Sequence, residues 1–347
     1  MHLNDIHAFR GISILIIVFG HSLYSAIDWT EKAFQFKSIN ILFAGGSILF
    51  VFVSGYLFYY LLNKYSYSGY LKKKLKFIIL PYIVVATPGI AHAFLDGNPG
   101  LEYPQISGLS TPAQVAWYYL VGGAQINYAL WYIPTAALFF ACFPVFKIVD
   151  SYPKFYWLIV PLLLLSNGLH RAHFPPVDPI RNFVYFLPVY LVGMLACRYR
   201  MQISHIVNRN LIVLLGLFLA LYGLQLFYSD IDGIYASRVP FQFNKGWVDI
   251  VLFQKLIFCF LLLGLINRST VVLTSNKLKY LANISFTLYF FHVYFLYAFE
   301  FFIGEKVAGA VFSIWFSMGL ASVLCCTALA AIAQRTLGRH SRLFIGS

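Results

Sequence analysis

Two ionisable side chains, Arg10 and His21, interrupt an apolar run that is long enough to cross a membrane. The run covers residues 8–27 and reads AFRGISILIIVFGHSLYSAI, and a membrane-spanning helix needs about 20 mostly apolar residues. Eleven residues at about 100° each place Arg10 and His21 on one helical face, roughly 16 Å apart along the axis, with Ser13 between them. A guanidinium binds phosphate or carboxylate groups, and a neutral imidazole is a general base near pH 7. The spacing therefore predicts a polar track from the cytoplasmic end of the helix towards its outer half.

A second histidine, His292, lies at a depth similar to that of His21. Of the nine histidines, only these two fall well inside predicted membrane helices, roughly 20 Å and 18 Å from the inner ends at 1.5 Å per residue. We therefore expect the two imidazoles to share one site. The structural alternative is an arginine that snorkels to the interface, with histidines that each hydrogen-bond a neighbouring helix.

The composition is typical of a multi-pass membrane protein. Of the 347 residues, 60% are hydrophobic and only 11% are charged, whereas soluble domains carry about 25% charged residues. The net charge of +13 does not indicate nucleic-acid binding, because the basic residues cluster in short loops between apolar runs. The five cysteines fall within apolar runs and are expected to be core residues rather than disulfides or metal ligands.

The hydrophobic pattern predicts an all-α, polytopic bundle of about ten transmembrane helices. The predicted spans are 8–27, 40–62, 77–95, 129–149, 155–169, 182–198, 211–228, 249–267, 280–300 and 308–333. With both termini in the cytoplasm, most of the 25 Lys and Arg residues fall in inner loops, as the positive-inside rule requires. The outer loop 96–128 is either a substrate lid or a plain connection, and its segment 113–124 is expected to be interfacial or re-entrant. We predict a single membrane domain over residues 1–347, with no fused soluble domain and no cleaved signal peptide.

A run of lysines precedes the third predicted span. Lys72, Lys73, Lys74 and Lys76 lie in the sequence YLKKKLKFIILPYIV, just inside the membrane on this topology. They contact either anionic lipid headgroups or a phosphate-bearing cytosolic substrate. The sequence contains no nucleotide-binding loop of the G-x-x-x-x-G-K-[ST] type. The HRAH sequence at 170–173 lacks further ligand residues nearby, so we predict no metal site.

Six motifs follow one another in the order found in a known family. They are FRGISILIIVFGHS with Arg10 and His21, SILFVFVSGYLF with Ser54 and Gly55, the basic cluster that leads to Pro81 and Tyr82, ALWYIPTAALFFACFPVF with Trp131, YFLPVYLVGMLA with Gly193, and ISFTLYFFHVYF with Ser285, Tyr289 and His292. Together they cover nearly the whole chain and resemble the acyltransferase 3 family of integral membrane O-acyltransferases. Phe286 stands where the family often has a tyrosine, so the resemblance assigns it no function.

The resemblance implies transfer of an acyl group, commonly acetyl, from acyl-CoA to a hydroxyl of an envelope polysaccharide or a lipid-linked sugar. It also implies a place in the bacterial plasma (inner) membrane, with acetyl-CoA as donor substrate and no bound cofactor. The expected partners are acyl-CoA, the acceptor glycan or lipid-linked sugar, membrane lipids and the polysaccharide biosynthesis machinery. No nucleic-acid partner is expected.

The same resemblance implies a catalytic group made of Arg10, His21 and His292. On this basis His21 removes the proton of the acceptor hydroxyl, or carries the acyl group transiently. Arg10 and the lysine run meet the phosphates or the thioester of the donor. The expected substrate-binding side chains line the path or stack on sugar faces, and they are Ser13, Ser54, Ser285, Tyr289, Trp131, Lys73, Lys74 and Lys76.

The alternative from another class is a transporter or flippase for a lipid-linked sugar or a small anion. An arginine and a histidine inside a bundle of about ten helices suit that function as well. Against it, the sequence has no repeated half and no paired Gly- or Pro-broken helices in corresponding positions. A scaffold protein of a polysaccharide export complex would leave Arg10, His21 and His292 without a function.

Overall fold

The computed structural model describes residues 3–95, 103–172, 178–228, 236–237, 240–241 and 248–347. These residues are largely helical, because a backbone in apolar surroundings must satisfy its hydrogen bonds within its own segment. The α-helices of the first half are α1 (Leu3–Ser22), α2 (Ala33–Phe43), α3 (Gly46–Leu61), α4 (Tyr67–Lys74), α5 (Leu80–Leu95), α6 (Thr111–Val121), α7 (Tyr132–Ala141), α8 (Phe143–Ser151) and α9 (Ile159–Leu169). Those of the second half are α10 (Pro179–Arg198), α11 (Arg200–Arg209), α12 (Leu211–Tyr228), α13 (Ile250–Arg268), α14 (Thr270–Thr274), α15 (Asn276–Asn283), α16 (Ser285–Ile303), α17 (Val311–Leu337) and α18 (Ser341–Phe344).

Short irregular elements connect these helices. The 3-10 turns are Thr30–Lys32, Pro104–Ile106, Gln125–Trp131, Pro153–Leu158 and Gly338–His340, and a π-helical turn covers Leu75–Ile79. Two short strands, β1 (Arg171–Ala172) and β2 (Ala236–Ser237), pair in parallel. This small sheet was not predicted from the sequence, and it fixes the backbone at Arg171.

Six helical segments of the described residues are long and apolar enough to cross a membrane, or up to eight if each of two bent helix pairs is one span. The six are Thr30–Leu61, Tyr67–Leu95, Pro179–Arg198, Ile250–Arg268, Ser285–Ile303 and Val311–Phe344. The bent pairs are Gln125–Ala141 with Phe143–Ser151, at 54°, and Arg200–Arg209 with Leu211–Phe227, at 75°. The chain is therefore an all-α protein with the helices of a multi-pass membrane protein.

Two of the ten predicted spans, 8–27 and 155–169, are not among these candidates. The first forms α1, which ends at Ser22 rather than at residue 27 and carries the polar residues Asp5 and His7 in its first turns. The second forms α9, whose 11 residues reach only about 16 Å at 1.5 Å per residue. The count of ten and the cytoplasmic position of both termini therefore stay predictions.

Helix α1 lies in the interior of the bundle, where it packs against α3, α13, α15, α16 and α17. Its Phe9, Ile14 and Val18 are fully buried, and the Phe9 ring stacks on Phe52 of α3 at 5.7 Å. Apolar contacts on several sides hold the helix in place, so its two ionisable side chains have fixed positions.

Helices α3 and α10 cross with their backbones in contact. A Cβ atom added to Gly55 of α3 would overlap the carbonyl oxygen of Tyr190, and one added to Gly193 of α10 would overlap the carbonyl oxygen of Phe52. Membrane helices approach this closely only where small residues face each other. The packing gives a physical reason for the glycines of the Ser-Gly motif and of the YFLPVYLVGMLA motif.

A buried lysine stabilises the break between α2 and α3. The chain turns at Ala44 and Gly45, where Gly45 adopts a φ of +73° that favours glycine. The Lys255 side chain is 1% exposed, and its Nζ donates to the carbonyl oxygens of Ile41 and Leu42, each at 2.8 Å. A cation at the end of α2 satisfies carbonyls that lack partners within the helix and complements the helix dipole.

The predicted outer loop 96–128 contains regular structure. Residues 96–102 lie outside the described part, but the remainder holds the turn at Pro104–Ile106, helix α6 and the start of the turn at Gln125–Trp131. The segment 113–124 overlaps most of α6, which ends at Val121 with Gly122 as its C-cap. Short helices therefore replace most of the predicted open loop.

Candidate active site

Two histidines from different helices meet inside the bundle. His21 lies near the end of α1, and His292 lies in the middle of α16, where it is fully buried. The Nδ1 atom of His21 is 2.7 Å from Nε2 of His292, and the two rings stack with centroids 4.9 Å apart. The structure thus brings together the two imidazoles that sequence analysis expected to share one site.

The surroundings of His292 determine which nitrogen carries each proton. Its Nδ1 atom faces the carbonyl oxygens of Leu288 at 2.8 Å and Tyr289 at 3.0 Å. Carbonyl oxygens only accept hydrogen bonds, so Nδ1 carries the proton and Nε2 of the neutral ring is an acceptor. His21 Nδ1 therefore donates to His292, which leaves the lone pair of His21 on Nε2. Among the described residues, His21 Nε2 has no hydrogen-bond partner.

His21 lines a cavity of about 80 Å³. This volume exceeds the roughly 10–15 Å³ that a single water needs, so the cavity can hold several waters or a small acyl group. The break between α2 and α3 forms one wall through Ala44, Gly45 and Gly46. The lining residues whose side chains carry polar atoms are His21, Tyr24, Asn40, Ser47, Trp131, Tyr132, Arg171 and Tyr289. Among the described residues, the lining includes no acidic side chain.

Ser54 does not line the cavity itself but contacts Tyr132, a lining residue that the motifs did not identify. The Ser54 hydroxyl and the Tyr132 hydroxyl are 3.2 Å apart, and the Tyr132 and Tyr289 rings lie 6.1 Å apart. The Tyr289 hydroxyl donates to the carbonyl oxygen of Ala129. The predicted residues Ser54 and Tyr289 are therefore joined by Tyr132, whose only sequence signal is its place directly after Trp131.

Trp131 forms part of the cavity wall. The side chain is 7% exposed, lines the cavity and stacks on Phe186 with centroids 6.0 Å apart. The guanidinium of Arg171 lies 4.4 Å from the Trp131 ring centroid. The predicted placement of Trp131 at a ligand cavity is consistent with the structure, and Arg171 is an additional lining residue that sequence analysis did not select.

Arg10 belongs to a cluster of three cations further along α1. Its guanidinium lies 5.3 Å from the Phe286 ring of α16, and it is close enough to Lys74 and Arg342 to interact electrostatically with both. No carboxylate within the described ranges forms an ion pair with any of the three cations. Three uncompensated positive charges from α1, α4 and α18 favour an anionic ligand.

The remaining predicted residues divide between the site and the surface. Lys74 lies over the Phe140 ring at 4.7 Å, beside Arg10. Lys73 and Lys76 are exposed and lie over Tyr65 and Phe77 respectively. The lysine run thus contributes one cation to the cluster and leaves the others at the surface.

Ser13 and Ser285 do not line the cavity. The Ser13 hydroxyl is buried and donates to the carbonyl oxygen of Phe9, one turn earlier in α1, at 2.8 Å. The Ser285 hydroxyl is buried at the start of α16 without a hydrogen-bond partner among the described residues. In the HRAH sequence, His170 is fully buried, and His173 lies outside the described residues.

The helices are apolar and long enough to span a membrane, and they pack around an interior histidine pair and a cavity. The chain is therefore of the class of helical membrane proteins with a candidate active site in the interior. A family model described as an acyltransferase domain matches residues 3–331, nearly the whole chain. The chain therefore belongs to the acyltransferase 3 family, and membership indicates a membrane acyltransferase. No match was found among curated proteins or among solved structures.

Proposed function

We propose that the protein is an O-acyltransferase that transfers an acetyl group from acetyl-CoA to a hydroxyl of an envelope polysaccharide or a lipid-linked sugar. The observation that carries the proposal is the His21–His292 pair, which leaves the lone pair of His21 on Nε2 in a side chain that lines the cavity. A positioned imidazole with a free lone pair is the usual general base for acyl transfer at neutral pH.

In the proposed reaction, His21 Nε2 takes the proton of the acceptor hydroxyl while that oxygen attacks the thioester carbonyl. The new C–O bond forms, the C–S bond breaks, and the proton passes to the departing thiolate, which leaves an ester and free CoA. His292 Nε2 accepts from His21 Nδ1 throughout, so it orients the ring and stabilises the imidazolium. Formation of a transient acyl-histidine at the same nitrogen is the alternative that the geometry also supports.

The cation cluster supports the acyl-CoA donor. CoA carries several phosphates at one end of a flexible arm and the thioester at the other. Arg10, Lys74 and Arg342 offer charge-assisted hydrogen bonds to such phosphates, and Arg10 and His21 are eleven residues apart on one helix, roughly 16 Å along its axis. Tyr132 lies within electrostatic reach of Arg10 and lines the cavity, so it connects the two ends of this path.

The proposal includes the membrane setting. We place the protein in the bacterial plasma membrane as one membrane domain, with both termini cytoplasmic, so that the cation cluster faces the cytosolic acyl-CoA pool. The basic residues of the predicted inner loops support this orientation. The acceptor glycan or lipid-linked sugar, membrane lipids and polysaccharide biosynthesis machinery are the proposed partners.

The test is acetyl transfer by the purified protein in lipid nanodiscs, with labelled acetyl-CoA and an envelope extract as acceptor. His21→Ala should abolish transfer, because it removes the only proposed base. His205→Ala is the matched control, since His205 is exposed on α11 and away from the site, and it should keep the wild-type rate. Near-normal transfer by folded His21→Ala would remove His21 from the mechanism.

A transporter or flippase for a lipid-linked sugar is the second candidate, and one observation favours it. Two helix pairs of the described residues are bent, at 54° and 75°, and broken helices are common at transporter binding sites. Movement of a labelled lipid-linked sugar across proteoliposomes, without any acetyl transfer, would establish that function instead.

A further inference from the structure

Arg171 places a positive charge on the wall of the cavity that holds His21. It lies on β1, contributes to the cavity lining and interacts electrostatically with His21. Its guanidinium faces the Trp131 ring at 4.4 Å, and its Nε atom is buried without a hydrogen-bond partner among the described residues. A buried guanidinium nitrogen without a partner is costly, so the arrangement favours an acceptor group that the described residues do not supply.

An acidic side chain that interacts with Arg171 electrostatically is hydrogen-bonded to other groups. Asp249 interacts electrostatically with Arg171, but within the described residues it forms no ion pair with it. Its carboxylate accepts from the Tyr185 hydroxyl at 2.7 Å and from the backbone N–H of Leu252 at 2.9 Å. Asp249 therefore serves as the N-cap of α13, and Arg171 lines the cavity without an ion pair to any carboxylate of the described residues.

We propose that Arg171 is an anion-binding subsite for the acceptor, where it holds a carboxylate or phosphate group of the sugar. This inference rests on the proposed acetyl transfer and specifies its acceptor as an anionic sugar. A guanidinium presents a planar set of donors that matches a carboxylate or a phosphate. The anionic group bound at Arg171 fixes the sugar so that one of its hydroxyls meets Nε2 of His21.

The anionic group that binds Arg171 has two sources, a uronic acid in the sugar itself or the phosphate of a lipid-linked sugar. Two treatments of the envelope acceptor distinguish them, reduction of its carboxyl groups and removal of its phosphates. One of the two treatments should reduce the rate of acetyl transfer by the wild type. The same treatment should leave the rate of Arg171→Gln unchanged, because the variant no longer binds the anionic group. Equal losses in both proteins would show that Arg171 only supports Trp131.

The kinetic test compares Arg171→Gln with Arg200→Gln, whose side chain is exposed on α11. A hydrogen bond to a charged group contributes about 1.5–3 kcal/mol, so Arg171→Gln should raise the acceptor KM roughly 10- to 150-fold. The KM for acetyl-CoA should not change, and Arg171→Lys should recover part of the loss. An unchanged acceptor KM in folded Arg171→Gln would overturn the subsite.

A binding measurement separates the failure of this inference from the failure of the proposed function. Glucuronic acid and glucose 1-phosphate serve as anionic probes and glucose as the neutral one, each measured by thermal stabilisation of the purified protein. At least one anionic probe should stabilise the wild type and not Arg171→Gln. If the probes stabilise the wild type but the protein transfers no acetyl group, the transferase proposal is refuted and the anion-binding subsite stands. If the protein transfers acetyl groups, but neither probe binding depends on Arg171 nor transfer depends on the charge of the acceptor, only the subsite is refuted.

Discussion

Replacing His292 tests whether the histidine pair acts as a unit. The structure assigns His292 Nε2 as the acceptor of the His21 Nδ1 proton, so His292→Phe leaves that donor without a partner. A hydrogen bond to a group that becomes charged contributes about 1.5–3 kcal/mol. In His292→Phe this contribution is lost in the state in which His21 is an imidazolium, so kcat should fall roughly 10- to 150-fold. The acceptor KM should change little, because His292 does not line the cavity.

The matched variant is His292→Gln, whose side-chain carbonyl can accept the same proton. It should recover part of the lost kcat, and thermal unfolding should show both variants folded. The stability cost should be small, since the carbonyl oxygens of Leu288 and Tyr289 lie within helix α16 and keep their helical partners. A wild-type kcat in His292→Phe, or identical losses in the Phe and Gln variants, would refute the assigned role of the accepted hydrogen bond.

Two further predictions concern packing and the donor. Gly55→Ala should lower the thermal unfolding temperature sharply or prevent folding, because its Cβ meets the Tyr190 carbonyl oxygen, whereas Gly216→Ala, with nothing within 4 Å, should be nearly neutral. Lys74→Gln should raise the KM for acetyl-CoA roughly tenfold through loss of a charged phosphate contact, while the exposed neighbour control Lys73→Gln should leave it unchanged. Equal unfolding temperatures of the glycine variants, or equal KM values of the lysine variants, would contradict these assignments.

The central part of the site was predictable because it depends on helical geometry. Arg10 and His21 lie on one continuous helix, α1, so their spacing alone placed them along one path. His292 followed from depth, since a membrane protein positions side chains along one axis that residue counts measure. The motif glycines Gly55 and Gly193 were also visible, although only the structure shows that they face each other's helices.

Residues positioned by loops and tertiary packing were not predictable. Arg171 reaches the cavity because β1 pairs with β2, and Arg342 joins Arg10 because α18 folds back against the bundle. No local pattern encodes such contacts. Sequence analysis assigned Lys255 no function, whereas the structure shows it binding the end of α2.

The sequence also did not show which of several similar residues belongs to the site. Lys73, Lys74 and Lys76 look equivalent in the basic run, yet only Lys74 lies beside Arg10. The orientation of each lysine depends on its position around the helical turns and on the aromatic ring that it covers. The number of membrane spans was not predictable from the sequence for the same reason, because helix breaks at residues such as Gly45 depend on contacts with other parts of the fold.

The size of the cavity has a consequence for side reactions. A base that activates a sugar hydroxyl also activates water, and a cavity of about 80 Å³ admits several waters. On the proposed mechanism, a donor that binds before the acceptor is therefore exposed to hydrolysis, and the occupied sugar site protects the thioester by displacing solvent. The ratio of acetyl-CoA hydrolysed to acetyl groups transferred then measures how completely an acceptor fills the space between Trp131 and the turn at Gly45.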